Sequence, residues 1–270
     1  MNATAADPIA QFKQTQKEGW ANFAPVEVFT IPPAGQLVKF SGARSGQRVL
    51  DVGCGTGVVA ITAARLGAKV TAIDLTPQLV ERARENARVS ELSIDLQEAD
   101  AERLPFPDQQ FDVVVSQFAH MFAPRPEIAV AEMLRVLKPG GTLAFSTWPP
   151  ELYVGRTMGL QAKYLPPPPN GFPPPLLWGD PNVIRHRLGD SVRDIAFDRR
   201  TMLIPVLSPQ LYRANLERTV GPMLKLVEYL AAKNPQALQQ FRDEFDAIVT
   251  HHVEDNVIRQ DYLMTRAVKA

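Results

Sequence analysis

The segment VLDVGCGTG, residues 49–57, is the most informative part of this 270-residue chain. A short apolar run at residues 48–52 predicts a buried strand, and the Ala-rich segment 56–66 predicts a helix directly after it. The three glycines between them allow a tight turn and let a ligand approach the backbone closely. Free N–H groups at the start of a helix favour an anionic group. The segment therefore indicates a site for a nucleotide-like cofactor, against the alternative of a glycine turn that binds nothing.

Strands and helices alternate along the rest of the chain. Strands are predicted at residues 48–52, 69–74, 93–98, 111–116, 142–147, 192–204 and 257–267. Helices are predicted at residues 56–66, 77–89, 126–137, 208–219, 223–232 and 235–251, the last three as an insertion between the last two strands. Strands joined by helices form right-handed βαβ units and a parallel sheet covered on both faces. The predicted fold class is α/β, with a doubly wound, mostly parallel seven-stranded sheet.

An acidic residue lies at or just after the carboxyl end of each of the first three predicted strands. Asp51 lies at the end of the first strand, Asp74 at the end of the second, and Asp100 just after the third. Because ligands of open parallel sheets bind at the carboxyl ends of the strands, these carboxylates are expected around one site. A dinucleotide fingerprint requires Gly-x-Gly-x-x-Gly, and its last position is Val58 here. A nicotinamide oxidoreductase is therefore disfavoured.

Charge and cysteine content restrict the class of protein. The chain has 29 basic and 29 acidic residues, and the parts before and after residue 150 each lie within two charges of neutral. A nucleic-acid binder needs a basic excess, so nucleic acid is not an expected partner. Cys54 is the single cysteine, which excludes a cysteine metal cage, and no metal is predicted. No apolar run approaches the roughly 20 residues of a membrane span and no leader pattern opens the chain, so a cytoplasmic location is expected.

Proline is unusually abundant, with 24 residues against 16 glycines. Ten prolines lie from Pro149 to Pro181, and seven of them fall within residues 166–175. Proline lacks an N–H and has a fixed φ, so this run predicts an extended or polyproline loop. The chain then divides into an N-terminal helical arm (1–44), a cofactor-binding core (45–148), a Pro-rich substrate cap (149–191) and the last two strands with their inserted helices (192–270).

Four segments together resemble the class I S-adenosylmethionine-dependent methyltransferases. They are VLDVGCGTGVVA, VTAIDLTPQLVERARENA, EADAERLPFPDQQFDVVVSQFAHMF and AEMLRVLKPGGTLAFSTW, within residues 45–148. The closest branch includes ubiquinone/menaquinone-type and small-molecule methyltransferases. The resemblance implies a Rossmann-like core with S-adenosyl-L-methionine as cofactor and S-adenosyl-L-homocysteine as product. The cofactor-binding residues that it implies are Trp20, Asp51, Gly53, Gly55, Asp74, Leu75, Asp100, Ala101 and Gln117.

The resemblance implies a role for each core residue of this set. Gly53 and Gly55 would pack beneath the methionine moiety, and Asp74 would hold the ribose. Leu75 would flank the adenine, whose amino edge and ring nitrogen would meet Asp100 and Ala101.

Three further roles lie outside the adenosine half of the implied site. Asp51 would orient the glycine loop through water. The end of the fourth strand, Ser116-Gln117-Phe118, would line the methionine side. In similar enzymes an N-terminal arm folds over the cofactor, and Trp20 is the aromatic residue expected to touch it. The alternative for this arm is a helix that docks on the sheet.

Methyl transfer from a sulfonium is an in-line displacement, in which the enzyme mainly positions the acceptor and excludes water. A general base is needed only if the acceptor must lose a proton. His120 is the candidate base or positioning group, and the alternative is a structural histidine. Aromatic and apolar residues of the cap (Tyr153, Met158, Tyr164, Phe172 and Trp178) favour a small hydrophobic or aromatic acceptor, unless they pack as core.

Two other functions remain open from the sequence. The first is an RNA or protein methyltransferase, which would need a basic surface near the site. The second is a non-catalytic S-adenosylmethionine-binding protein, since an intact glycine loop is compatible with binding alone. The acceptor, the atom methylated and the oligomeric state are left open.

Overall fold

The structure is a computed structural model that describes residues 7–166 and 172–270. Residues 1–6 of the predicted arm and residues 167–171 of the proline run lie outside the described residues. The extended conformation of that run therefore stays a prediction, as does the division of the chain into four parts.

The core is one mixed sheet flanked by helices, which confirms the predicted α/β fold class. Its strands are β1 (Arg48–Val52), β2 (Lys69–Asp74), β3 (Asp95–Glu98), β4 (Phe111–Gln117), β5 (Leu137–Thr147), β6 (Val192–Pro205), β7 (Val253–Glu254) and β8 (Val257–Lys269). Their order is β3-β2-β1-β4-β5-β8-β6, and the two-residue β7 pairs with β8. Strands β1 to β5 are parallel, whereas β8 runs antiparallel to both β5 and β6.

Ten α-helices connect or cover these strands in the part of the chain that the structure describes. They are α1 (Pro8–Trp20), α2 (Glu27–Ser41), α3 (Val58–Arg65), α4 (Pro77–Val89), α5 (Pro126–Val136), α6 (Tyr153–Tyr164), α7 (Pro181–Leu188), α8 (Pro209–Thr219), α9 (Gly221–Lys233) and α10 (Pro235–His252). Most of them begin with proline in the first turn. Proline is tolerated there because N–H groups in the first turn make no intrahelical hydrogen bond.

The sequences of the central strands are continuous apolar runs because helices cover both faces of the sheet. Val113, Val114 and Val115 of β4 are all buried, as are Leu50 and Val52 of β1. Consecutive residues of a strand point to opposite faces, so this pattern requires helices on both sides. The parallel register of β1 with β2 and β4 brings the carboxyl ends of these strands to one edge.

Two features of the fold differ from the sequence-based expectation. Strand β5 begins at Leu137 rather than at residue 142, where the sequence analysis placed its start. Leu137 already pairs with Phe111 of β4, and a shift in the register between the two strands accommodates residues 138–141. The cap contains two helices, α6 and α7, that were not predicted, because the many prolines of the cap suggested an extended loop. No proline lies between Pro150 and Pro166, so nothing interrupts a helix there.

The helices inserted between β6 and β8 form a layer above the carboxyl edge of the sheet. Helix α10 packs on α6, α8 and α9, and α9 packs on α1. This layer and the N-terminal helix together cover the strand ends. Across residues 7–166 and 172–270, no helix is both long and apolar enough to span a membrane. The same residues contain no group of histidine, cysteine and acidic side chains arranged to hold a metal ion.

Candidate active site

A cavity of about 310 Å³ lies between the carboxyl edge of the sheet and the helical layer. The glycine-loop wall consists of residues 51–55, 74–76, 99–101 and 117–120. The helical wall consists of the lining residues of α6, β6, α8, α9, α10 and β8, among them Tyr153, Met158, Gln161, Met202, Tyr212, Met223 and Gln260. The two walls face one continuous space, so a ligand at one can reach a ligand at the other.

The glycine loop is held against β2 by its own backbone. The N–H groups of Gly53 and Cys54 both donate to the carbonyl of Ile73, at 2.8 Å each. Gly53 has φ +71°, and an added Cβ would come within 2.3 Å of the Ala119 Cβ. Gly55 also has positive φ, but no atom lies within 4 Å of the Cβ position, because that position opens on the cavity. The loop therefore forms a cradle that a side chain at position 55 would fill.

Asp74 is buried at the end of β2 and joins the loop to the next helix. Its two carboxylate oxygens accept hydrogen bonds from the backbone N–H groups of Gly55 and Thr76, at 2.8 Å each. Burial raises the pKa of this carboxyl above its usual range, despite those hydrogen bonds. Each oxygen keeps a second lone pair, so Asp74 can still accept hydrogen bonds from hydroxyl groups in the cavity.

Asp51 lies beneath the loop and is almost fully buried. Its Oδ2 accepts a hydrogen bond from the Ala60 N–H at 3.0 Å, in the first turn of α3. Its predicted orientation of the glycine loop through water stays a prediction. Its Oδ1 has no hydrogen-bond partner among the described residues. Burial, followed by the charge of Asp74, raises the pKa of Asp51 to about 7. An orphaned carboxylate oxygen in the cavity wall fits a cationic group of a ligand.

Asp100 lines the cavity, as do Ala101 and Leu75. Its Oδ2 forms an ion pair with Nζ of Lys13 at 2.5 Å, and its Oδ1 accepts from the Glu102 N–H at 2.9 Å. Asp100 is therefore shared between the cavity and helix α1. Sequence reasoning did not single out Lys13, because a lysine on an amphipathic arm has no local signal that identifies its partner.

The end of β4 supplies a second unpaired polar atom. The Gln117 Nε2 donates to the Thr30 carbonyl at 2.9 Å, while its Oε1 has no partner within the described ranges. Gln117 and Phe118 both line the cavity. The Phe118 ring stacks on Trp148 at a centroid distance of 4.0 Å, and both rings line the cavity.

Helix α1 lies over the glycine-loop wall. Trp20 lines the cavity, and its ring meets that of Phe122 edge-on at 5.3 Å. The Gln16 side chain donates to the Phe122 carbonyl at 2.9 Å. Helix α1 is thus held over the cavity by Asp100, Phe122 and α9. The contact of Trp20 with the cofactor stays a prediction. Phe12 instead packs on Phe172 of the cap, at 5.2 Å.

His120 lies at the margin of the cavity in an aromatic environment. Its ring is 4.5 Å from Phe145 and 4.8 Å from Trp178, and neither ring nitrogen has a partner in the described part of the chain. Burial, followed by the positive charge of Arg187, lowers the pKa of His120 to about 3. The imidazole is therefore neutral near pH 7 and a weak base.

The helical wall was largely missed by the sequence analysis. Of the cap residues considered there, Tyr153 and Met158 line the cavity, whereas Tyr164, Phe172 and Trp178 do not. Its other members come from elements far apart in the sequence and have no common motif. Only the antiparallel pairing of β6 with β8, and the helices between them, brings these residues together.

Comparisons with known proteins agree on the family. Residues 50–145 match the family described as "Methyltransferase domain". An uncharacterised Mycobacterium tuberculosis protein is 34% identical over 259 residues, covering 94% of each chain. Ubiquinone biosynthesis O-methyltransferase of Klebsiella pneumoniae is 35% identical over 143 residues, which are 52% of this chain and 59% of that enzyme. Haemonchus contortus phosphoethanolamine N-methyltransferase 2, solved with S-adenosyl-L-methionine, is 19% identical and shares the fold, with a TM-score of 0.55 over 88% of this chain and 52% of that one.

Proposed function

The chain belongs to the class I S-adenosylmethionine-dependent methyltransferases, and from this premise we propose that it methylates a small hydrophobic or aromatic organic molecule. The observation that carries the proposal is the single cavity shared by the glycine loop and the apolar helical wall. Such a cavity holds a donor at one wall and an acceptor at the other.

The residues of the glycine-loop wall fit the cofactor. When bound, S-adenosyl-L-methionine supplies a methyl group on a cationic sulfur, which needs no further activation. We assign the ribose to Asp74 and the adenine to Leu75, Asp100 and Ala101. The methionine end, with its cationic amino group, is assigned to the wall formed by Asp51, Gly53, Gly55, Gln117 and Trp20. The open cradle at Gly55 and the orphaned oxygens of Asp51 and Gln117 support this assignment.

The protein contributes position and water exclusion rather than proton transfer. Helix α1 covers one wall, and α6, α8 and α9 form the other, so both reactants are held in a largely apolar space. We propose that His120 supports the shape of the site and is not its base, because a pKa of about 3 makes proton uptake at pH 7 unfavourable.

The wall opposite the glycine loop supports a small acceptor over RNA or protein. All lining residues from α6, β6, α8, α9, α10 and β8 are uncharged. Among the described residues that line the cavity, the basic ones are Lys13, which is paired with Asp100, and His120, which is neutral near pH 7. Recognition of RNA requires several basic groups near the site. We also propose a cytoplasmic location, which fits the lone, buried Cys54; fractionation of cells that produce the protein tests it.

Calorimetric titration with S-adenosyl-L-homocysteine tests the cofactor assignment. Hydrogen bonds to a carboxylate contribute about 1.5–3 kcal/mol each, so Asp74→Ala is expected to weaken binding by roughly 10- to 100-fold. Asp95→Ala, an exposed aspartate on β3 outside the cavity, is the matched control and should bind as the wild type does. Equal affinity of Asp74→Ala and wild type would overturn the assignment. A screen of neutral aromatic acceptors, read by release of S-adenosyl-L-homocysteine, then tests the reaction.

A further inference from the structure

Besides Thr157 and Gln161, the largely apolar helical wall contains one buried polar group. It is formed by Tyr153 at the start of α6, Tyr212 on α8 and Gln260 on β8, which we call the tyrosine group. All three residues line the cavity and all are more than nine-tenths buried. Met158, Met202 and Met223 lie on the same wall. Buried polar groups are costly unless they are hydrogen-bonded, so the partners of the tyrosine group matter.

The hydrogen bonds of this group are incomplete. The Gln260 Nε2 donates to the Tyr212 hydroxyl oxygen at 2.7 Å, which leaves the Tyr212 O–H free to donate elsewhere. The Tyr153 hydroxyl faces that of Tyr212 as a hydrogen-bonding neighbour, which raises the pKa of Tyr153 and lowers that of Tyr212, but the two hydroxyls do not reach the geometry of a full hydrogen bond. A buried, unsatisfied hydroxyl costs about 1–3 kcal/mol. A ligand oxygen at this position would remove that cost.

Charge separates this wall from the rest of the cavity. Asp51, Asp74, Asp100 and Lys13 all lie on the cofactor side, and the helical wall has no ionisable group except its tyrosines. Burial is the main cause that raises the pKa of Tyr212 to about 12 and that of Tyr153 well above its usual range. Both hydroxyls therefore stay protonated near neutral pH. An anionic ligand would lose its hydration here without gaining a cationic partner.

We propose that the tyrosine group is the recognition site for the methyl acceptor, and that the acceptor is an uncharged, mostly apolar molecule with a carbonyl or hydroxyl oxygen that accepts a hydrogen bond from Tyr153 or Tyr212. This inference rests on the proposed function, because it places the acceptor in the cavity that also holds the cofactor. The tyrosines act as positioning residues, since protonated phenols with raised pKa values do not take up protons.

The test is a calorimetric titration of the protein saturated with S-adenosyl-L-homocysteine. The probes are 1-naphthol, which is neutral with one oxygen, naphthalene, which lacks the oxygen, and 1-naphthoate, which is anionic. We expect 1-naphthol to bind more tightly than naphthalene and 1-naphthoate not to bind. A hydrogen bond contributes about 0.5–1.5 kcal/mol, so the variant that removes the donor, Tyr153→Phe or Tyr212→Phe, should weaken 1-naphthol binding by roughly 2- to 12-fold. Both variants should leave naphthalene binding unchanged.

The matched control is Tyr164→Phe. Tyr164 lies at the other end of α6, where its hydroxyl donates to Glu244 outside the cavity, so 1-naphthol binding should not change. The inference is overturned if 1-naphthoate binds as well as 1-naphthol, if neither neutral probe binds, or if both tyrosine variants retain wild-type affinity for 1-naphthol. Saturation with S-adenosyl-L-homocysteine is measured first in each variant, so a failure of the cofactor assignment is seen separately. Thermal unfolding of both variants shows whether they are folded.

Discussion

Asp51 is a residue whose ionisation depends strongly on its surroundings. An aspartate in an unfolded chain has a pKa near 3.9, and burial raises the value here to about 7. Because the folded-state pKa is the higher one, ionisation of Asp51 costs folding free energy. This cost is absent well below pH 4, grows as the pH rises towards 7, and is constant above it. A cationic group bound beside Oδ1 would offset the cost.

The pH dependence of cofactor binding follows from this shift. We expect the affinity for S-adenosyl-L-homocysteine to be highest above pH 7 and to fall below it by up to about tenfold per pH unit. Below pH 7, Asp51 of the free protein is protonated, and binding must release that proton. Asp51→Asn should bind weakly with little dependence on pH, and Asp95→Asn should behave as wild type. Titrations between about pH 5.5 and 8, in buffers of different ionisation enthalpy, measure both effects. A flat wild-type profile would contradict the assignment of Asp51.

Gly53 is predicted to tolerate no side chain. Its φ of +71° already disfavours L-residues, and the added Cβ would overlap Ala119 at 2.3 Å. Gly46 has a similar φ of +81° but no atom within 4 Å of the Cβ position, so Gly46→Ala isolates the backbone cost of about 1–2 kcal/mol. Gly53→Ala should be more destabilising than Gly46→Ala and should also reduce cofactor binding. Urea unfolding and calorimetry measure the two quantities; equal losses for both variants would refute the steric argument.

Helix α1 is attached to the rest of the protein by two kinds of contact. Lys13 and Lys17 form ion pairs with Asp100, Glu102 and Glu98 near the end of β3. At its other end, the backbone of α1 meets α9 directly, and a Cβ on Gly19 would lie 3.1 Å from the Gly221 Cα.

The glycine contact between α1 and α9 gives a prediction for these elements. Gly19→Val should push the helices apart and weaken S-adenosyl-L-homocysteine binding by several-fold or more, because Trp20 lies on the same helix and lines the cavity. Gly159→Ala on α6 has open space at its Cβ and removes a glycine from a helix, so it should leave binding unchanged and stabilise the fold slightly. If Gly19→Val bound S-adenosyl-L-homocysteine as tightly as the wild type, cofactor binding would not depend on the close contact of α1 with α9.

The sheet elements were predictable from sequence, and the helical wall was not. Parallel strands such as β1 and β4 are buried on both faces, so they appear as unbroken apolar runs whatever their neighbours are. The glycine loop is equally local, because its turn and helix start lie within nine residues. Met202, Tyr212 and Gln260 contribute to one surface through long-range topology, and no local pattern marks them. Helix α6 was hidden for a different reason, since the flanking prolines dominated the composition of the cap.

Across the whole molecule, the cavity links the sheet to the helical layer, so its ligand should stabilise both. At a concentration of one hundred times Kd, a ligand that binds only the folded state adds about 2.7 kcal/mol of stability. We expect S-adenosyl-L-homocysteine to raise Tm and to slow amide hydrogen exchange in α1 and α9 as well as in the glycine loop. Protection confined to β1, β2 and the loop would show that the covering helices do not respond to the cofactor. In Asp74→Ala, whose binding is expected to be roughly 10- to 100-fold weaker, both effects should be clearly reduced at the same ligand concentration, to about 0.4–1.4 kcal/mol of added stability.

The contact of Gly19 with Gly221 also has a consequence for how the protein is made. Ribosomes synthesise chains from the N-terminus, so α1 and the whole glycine loop leave the ribosome long before α9 exists. A nascent chain that ends before residue 221 already has the residues assigned to the cofactor, but its first helix has no α9 to pack against. Closing a contact of such long sequence separation is among the slow steps of folding. The cavity is therefore expected to close last, and only complete chains should retain the methyl donor.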